Sequence, residues 1–175
     1  MMQIEESGMS FIVDERHCYH VEASESYKDL STRGVEICEY IELKEGDDKS
    51  IVFVEAKMSS PNPQSKLEGA TEKFEDYIKS ICNKFINAAN LLNAGVFCRR
   101  PDVRGEIPAS FTQEKLQKSE YKCILVIKNH EKSWLIPVQD ALNREFSRNP
   151  FWNIWSNVKV KVINESIARS KNIIK

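Results

Sequence analysis

The chain has 175 residues, which suits one domain over residues 1–175 that is large enough to bury its own core. Its 41% hydrophobic and 29% charged residues exclude a mainly disordered protein, and no apolar stretch approaches the roughly 18 residues of a membrane span. The net charge is only −1, but residues 1–56 carry −9 and residues 57–175 carry +8, so a polyanion should bind the later part.

The cysteines are odd in number and lack close C-x-x-C spacing, which predicts neither a disulfide framework nor a four-thiolate zinc site. They are Cys18, Cys38, Cys82, Cys98 and Cys123. The N-terminus also lacks a basic region followed by an apolar leader. A cytoplasmic protein with reduced thiols is therefore expected.

The first elements are short. Residues 10–14 and 17–23 are typical of short strands joined at residues 15–16, and residues 24–34 have the composition of a polar connection. Residues 35–43 then alternate with period two, and their odd positions are apolar except for Glu39. A carboxylate thus occupies the face that should be buried, and the even positions form a more polar face.

A second apolar run, residues 51–54, leads into Glu55 and Lys57, and residues 44–49 between the two runs have the composition of a hairpin turn. If the hairpin centres near Asp47, Leu43 faces Ile51 and Glu39 faces Glu55. Directly opposed residues have Cβ atoms about 4.5 to 5.5 Å apart. The pattern therefore predicts two carboxylates in one small site.

Two carboxylates so close repel each other unless a cation lies between them, and a hard divalent ion such as Mg²⁺ or Mn²⁺ prefers oxygen ligands. Glu39 and Glu55 are therefore the predicted metal ligands, and Lys57 adds an ammonium on the same face. A metal that activates water, beside a cation that stabilises developing charge, is the chemistry of phosphodiester hydrolysis.

Glu39 followed by Glu55-Ala56-Lys57 resembles the PD-(D/E)XK nuclease superfamily, whose core carries an acid on one strand and E-x-K on the next. The resemblance implies an α/β fold with a restriction-endonuclease-like mixed β-sheet flanked by helices. It also implies catalytic roles for Glu39, Glu55 and Lys57. Such enzymes often take a further acid from an upstream element, for which Glu22 is favoured and Asp14 and Glu25 are alternatives.

The chain after Lys57 should turn, because the prolines in residues 59–63 cannot continue a central strand. Residues 65–68 fit a capping box, and apolar residues from Phe74 repeat at helical spacing as far as Gly95. Residues 98–120 are predicted to be a loop with a short helix at residues 113–118. This loop contains three arginines suited to phosphate contacts, Arg99, Arg100 and Arg104.

The last part of the chain completes an α/β pattern. Residues 121–128 contain a continuous apolar run typical of a central strand, and a helix is expected from Pro137 to Phe146. Residues 158–162 alternate as a strand, and residues 163–174 indicate a short helix. The aromatic residues between these elements, Phe151, Trp152 and Trp155, favour a small core cluster over a base-stacking platform.

The leading hypothesis is a Mg²⁺- or Mn²⁺-dependent nuclease that acts on nucleic acid, with DNA as the favoured substrate. The rival is a noncatalytic nucleic-acid-binding or assembly subunit that retains the fold. Nucleotide hydrolysis is disfavoured because the chain lacks a glycine-rich phosphate loop. A homodimer or a larger defence or repair complex is compatible with the sequence, as are endonucleolytic and exonucleolytic cleavage.

Overall fold

A five-stranded mixed sheet forms the centre of the computed structural model, which describes residues 1–46, 49–62, 64–155 and 158–175. In chain order the strands are β1 (Met2–Glu6), β2 (Met9–Val13), β3 (Cys18–Tyr19), β4 (Tyr40–Lys44), β5 (Ser50–Lys57), β6 (Glu120–Ile127) and β7 (Lys159–Asn164). The helices are α1 (Glu25–Thr32), α2 (Ala70–Val96), α3 (Pro101–Glu106), α4 (Gln113–Lys118), α5 (Lys132–Arg148), α6 (Pro150–Trp155) and α7 (Glu165–Ser170), and Glu15–His17 form a 3₁₀ turn.

The sheet has the order β3-β4-β5-β6-β7. Strands β3, β4 and β5 pair antiparallel, whereas β5, β6 and β7 run parallel. Helices α2 and α5 pack on one face. The predicted α/β architecture, a mixed sheet flanked by helices, is therefore confirmed, and β6 is an interior strand as expected.

Both faces of β4 and β5 are buried. Odd-numbered residues such as Ile41 and Phe53 pack against α2, while even-numbered residues such as Tyr40 and Val54 pack against β1, β2 and α7. The even positions of β4 include the charged Glu42, as expected of the more polar face, but Tyr40 and Glu42 are buried. They are covered by β2 and by β1, a strand that the sequence pattern did not predict.

Strands β1 and β2 form a separate hairpin that covers this second face. Ser7 and Gly8 make its turn with φ of 48° and 67°, as a two-residue type I′ turn requires. The Ser7 hydroxyl donates to the Ala56 carbonyl at 3.1 Å, which fixes the turn on the end of β5. On the other side, Phe11 bridges Ile174, and the Lys175 amide donates to the Ser10 carbonyl.

Helices α1 and α3 were not predicted from the sequence, and the predicted helix α2 begins at another residue. Residues 24–34 contain α1, whose N-cap Ser24 accepts a hydrogen bond from the Tyr27 amide, so a polar connection was the wrong prediction. Residues 98–120 contain α3 as well as the predicted α4. Helix α2 confirms the long helix but starts after Gly69 without a side-chain cap, so the capping box at residues 65–68 is wrong.

Helix α5 starts at Lys132, five residues before its predicted start, and Pro137 lies inside it. The buried stripe Leu135, Val138, Leu142 and Phe146 packs into the core and offsets the cost of the proline. Trp152 of α6 is buried and stacks on Phe146 with ring centroids 4.8 Å apart, which confirms its predicted core role. The side chains of Phe151 and Trp155 lie outside the described part of the structure.

Among the described residues, no helix combines the length and the apolarity that a transmembrane segment requires.

Candidate metal and catalytic site

The β4–β5 ladder ends next to the two predicted metal ligands. Leu43 pairs with Ile51 and Tyr40 pairs with Val54, which is the predicted register, although β4 begins at Tyr40 and not at residue 35. Glu39 directly precedes β4, and Glu55 follows Val54 on β5. Asp47, the predicted centre of the turn, lies outside the described residues, but the register it implied is confirmed. Both glutamates are buried, and the charge of Glu55 acts directly on Glu39.

Glu55 is completely buried and binds two lysines through one oxygen. Its Oε1 lies 2.7 Å from Lys57 Nζ and 2.7 Å from Lys84 Nζ, while its Oε2 has no hydrogen-bond partner within the described structure. A buried carboxylate is costly unless it is paired, and the two ammonium groups provide this pairing for Glu55. One carboxylate oxygen therefore stays free to bind another group.

Lys84 is a functional candidate that the sequence analysis missed. It lies on α2 at the third position after Ile81 and the fourth before Ala88, both of which are core residues. A lysine at this spacing falls on the buried stripe of the helix, which is the signal that could have found it. Its side chain is only 11% exposed, compared with 31% for Lys57.

Two further carboxylates, those of Glu6 and Glu22, lie close to Glu39. Glu6, Glu22 and Glu39 each offer an oxygen within 4.8 Å of the other two, and we call this group the acidic triad. The Glu22 amide donates to the Glu39 carbonyl at 3.2 Å, which fixes Glu22 beside the start of β4. Glu6 reaches the acidic triad because of where the N-terminal hairpin packs, and its role was not predicted from the sequence.

The alternatives to Glu22 lie elsewhere. Asp14 accepts hydrogen bonds from the Arg16 amide and guanidinium, and Glu25 forms an exposed ion pair with Lys28. The structure thus brings Glu22 to Glu39 and leaves Asp14 and Glu25 outside the acidic triad.

The pKa values of the acidic triad are shifted because its members are close together and partly desolvated. Burial is the main cause that raises the pKa of Glu39 well above its usual range, followed by its hydrogen bond to Glu22 and the charge of Glu55. That same hydrogen bond is the main cause that lowers the pKa of Glu22, so Glu39 is the donor and Glu22 the ionised acceptor. Burial, and then the charge of Glu22, raises the pKa of Glu6.

A divalent cation fits this site by charge and by chemistry. With all four glutamates ionised, the acidic triad and Glu55 carry four negative charges, and Lys57 and Lys84 compensate two of them. All the donor atoms are oxygens, and Glu39 Oε2 and Glu55 Oε2 are buried without a hydrogen-bond partner in the described structure. Oxygens on opposite sides of a Mg²⁺ ion lie about 4.2 Å apart, which falls within the 4.8 Å that bounds the distances in the acidic triad; the predicted ligand Glu55 is not a member of this group.

Comparisons of this chain with protein-family models, with curated proteins and with solved structures find no match. The chemistry of the site is therefore inferred from its own side chains.

The three predicted phosphate-binding arginines do not join the acidic site. They lie beyond the carboxyl end of α2, where the charges of Asp29 and Glu106 act on Arg100. Arg99 is exposed, Arg100 pairs with Asp102 at 2.6 Å, and Arg104 is half-buried on α3.

Proposed function

We propose that this protein is a metal-dependent nuclease that hydrolyses phosphodiester bonds, with DNA as the favoured substrate. The observation that carries the proposal is the carboxylate of Glu55, which is fully buried, held by Lys57 and Lys84, and adjacent to the acidic triad. This arrangement also supports the proposal that the mixed sheet is of the restriction-endonuclease-like kind expected from the PD-(D/E)XK pattern.

Glu39 and the free oxygen of Glu55 would hold the metal, with Glu22 and Glu6 as further ligands. Bound Mg²⁺ or Mn²⁺ would polarise a phosphoryl oxygen and lower the pKa of a bound water. Before an ion binds, the hydrogen bond from Glu39 to Glu22 keeps a proton in the site. Metal binding should therefore release protons, because a carboxylate must be ionised to act as a ligand.

The two lysines have different positions and therefore different proposed roles. Lys57 is the more exposed and lies at the end of β5, so its ammonium can reach a substrate phosphate and offset the charge that develops on it. Lys84 is nearly buried on α2 and holds Glu55 from the side of the helix, so we treat it as a positioning residue. Together they direct one oxygen of Glu55 toward the metal.

Incubation of the purified protein with linear, circular and single-stranded DNA and with RNA, in Mg²⁺ or in EDTA, tests the proposal. Cleavage in Mg²⁺ that EDTA abolishes supports a nuclease, and cleavage of the circular substrate establishes endonucleolytic attack. Metal-independent binding without cleavage of any substrate would instead favour the rival, a nucleic-acid-binding or assembly subunit.

The free cysteines fit a reducing compartment, so we propose the cytoplasm as the site of action.

We expect Mg²⁺ or Mn²⁺ to raise the melting temperature of the protein, because the ion binds only where the acidic triad is assembled. At an ion concentration 100 times the Kd the gain is about 2.7 kcal/mol. Differential scanning calorimetry of the wild type and of a Glu22→Gln/Glu39→Gln variant measures the effect. A shift of equal size in both proteins would show that the ion binds elsewhere.

We expect the triple substitution of Arg99, Arg100 and Arg104 with alanine to weaken DNA binding and to flatten its salt dependence. Each lost phosphate contact reduces the slope of log K against log salt by about 0.7 to 0.9. Fluorescence anisotropy across a salt series, in EDTA to prevent cleavage, measures both quantities. Exposed arginines elsewhere provide a charge-matched control, Arg33, Arg144 and Arg148 replaced together. An equal loss in the control would contradict a specific role for the predicted three.

A further inference from the structure

The carboxyl ends of the parallel strands β5, β6 and β7 meet at one edge of the sheet, and this edge continues beyond the acidic site. The Lys128 amide donates to the Lys57 carbonyl at 2.9 Å, and the Asn129 amide donates to the Met58 carbonyl at 3.3 Å. The backbone after β6 therefore lies one strand spacing, about 4.8 Å, from the backbone that carries Lys57. The segment from Lys128 onward therefore lies beside the end of β5 that carries Lys57.

This segment carries an exposed aromatic ring in a fixed position. Trp134 is 53% exposed, and its ring meets that of His130 nearly at right angles, 81° between planes with centroids 5.6 Å apart. His130 is itself held by two contacts, from its Nε2 to Ser60 Oγ at 2.9 Å and from Asn164 Nδ2 to its carbonyl at 2.9 Å. The contact with His130 thus positions the Trp134 ring, while about half of the residue stays exposed to solvent.

A polar groove of about 360 Å³ adjoins His130. Its cations are Lys128 and Arg169, and Arg169 pairs with Glu165 at 2.7 Å, so these three charges sum to +1. Asn164 and Ser166 add uncharged hydrogen-bonding groups to the lining. A groove with this balance suits a phosphodiester, whose single negative charge the two cations can share.

We propose that this edge, which we call the Trp134 surface, binds an unpaired nucleotide of the strand being cut. The base stacks on Trp134, and its phosphate lies in the groove beside Lys128 and Arg169. Stacking on an aromatic side chain needs an open base face, which a paired and stacked duplex lacks. The inference rests on the proposed nuclease function and adds the substrate class, single-stranded nucleic acid or the frayed end of a duplex.

Binding in EDTA tests the inference separately from cleavage. Fluorescence anisotropy with labelled oligothymidylate, oligouridylate and a blunt duplex compares the wild type with Trp134→Ala, Trp134→Phe and Lys128→Ala/Arg169→Ala. Ile136→Ala is the matched control, since Ile136 lies on the same helix and is 63% exposed. Comparison of the thymidylate and uridylate arms decides whether the strand bound is DNA or RNA.

We expect Trp134→Ala to weaken single-strand binding by about 5- to 100-fold, which is the usual effect of removing one stacking residue, and to leave duplex affinity unchanged. Trp134→Phe should keep most of the affinity, Ile136→Ala all of it, and Lys128→Ala/Arg169→Ala should lower both the affinity and the salt slope. Three results would overturn the inference. Trp134→Ala could bind single strands as tightly as the wild type, it could lose duplex affinity to the same extent as single-strand affinity, or the wild type could fail to bind single strands. Mg²⁺-dependent cleavage of duplex DNA alongside any of these results would leave the nuclease proposal standing.

Discussion

Lys57→Ala is expected to lower the rate of Mg²⁺-dependent cleavage by at least about 100-fold, the usual effect of removing one group that stabilises transition-state charge. The fold should survive, because Lys57 is 31% exposed at the end of β5 and Lys84 still neutralises Glu55. Substrate binding should change little, since the proposed interaction strengthens only as charge develops on the phosphate. Single-turnover cleavage with circular dichroism and anisotropy on the same preparation measures all three.

Glu55→Ala gives the contrasting result. It removes a metal ligand and leaves Lys84 almost buried without its carboxylate, so cleavage, metal binding and about 3 to 5 kcal/mol of stability should be lost together. Lys161→Ala is the matched control for Lys57→Ala, because Lys161 is an exposed strand lysine on β7. Cleavage at the wild-type rate by folded Lys57→Ala would show that the activity has another source.

The metal-free protein is expected to lose stability as the pH rises. The folded-state pKa of Glu39 is raised from its ordinary value of 4.5, mainly by burial, so above that value the folded protein holds a proton that the unfolded chain has released. Stability therefore falls with increasing pH, with a slope of up to about 1.4 kcal/mol per pH unit between the unfolded and folded pKa values. Glu39→Gln keeps a hydrogen-bond donor toward Glu22 without the titration, and should flatten this slope.

Urea unfolding in EDTA from about pH 5 to pH 8 measures the slope, within the range in which small domains usually unfold in two states. Glu25→Gln is a suitable control, since Glu25 is an exposed glutamate on α1. Saturating Mg²⁺ should oppose the decline, because the ion binds more tightly as the carboxylates ionise. The same slope in the wild type and in Glu39→Gln would refute a proton held by Glu39.

The sequence predicted the part of the site that depends on local periodicity. Period-two alternation and a short turn are enough to set the β4–β5 register, whose last pair, Tyr40 with Val54, adjoins Glu39 and Glu55. The α/β class follows in the same way from strand and helix periods in alternation. These predictions concern residues separated by fewer than 20 positions.

The remainder of the site depends on long-range packing that periodicity does not encode. Glu6 reaches the acidic triad only because β1 and β2 fold across the second face of the sheet, and Lys84 reaches Glu55 only because α2 packs on the first. The sequence shows that Lys84 is charged, but the burial of this lysine depends on its ion pair with Glu55. Helix α1 was missed because the stability of its polar sequence comes from its cap and from contacts of Ser26 with Glu106 on α3.

The docking of the N-terminal hairpin ties the acidic triad to both termini of the chain. Glu6 comes from β1, whose turn is held by Ala56, while β2 is held from outside by Ile173, Ile174 and Lys175. Residues 173–175 thus hold the β1–β2 hairpin in place, and this hairpin positions the Glu6 carboxylate in the acidic triad. Loss of the contacts that residues 173–175 make with β2 should therefore lower the metal affinity of the site through Glu6.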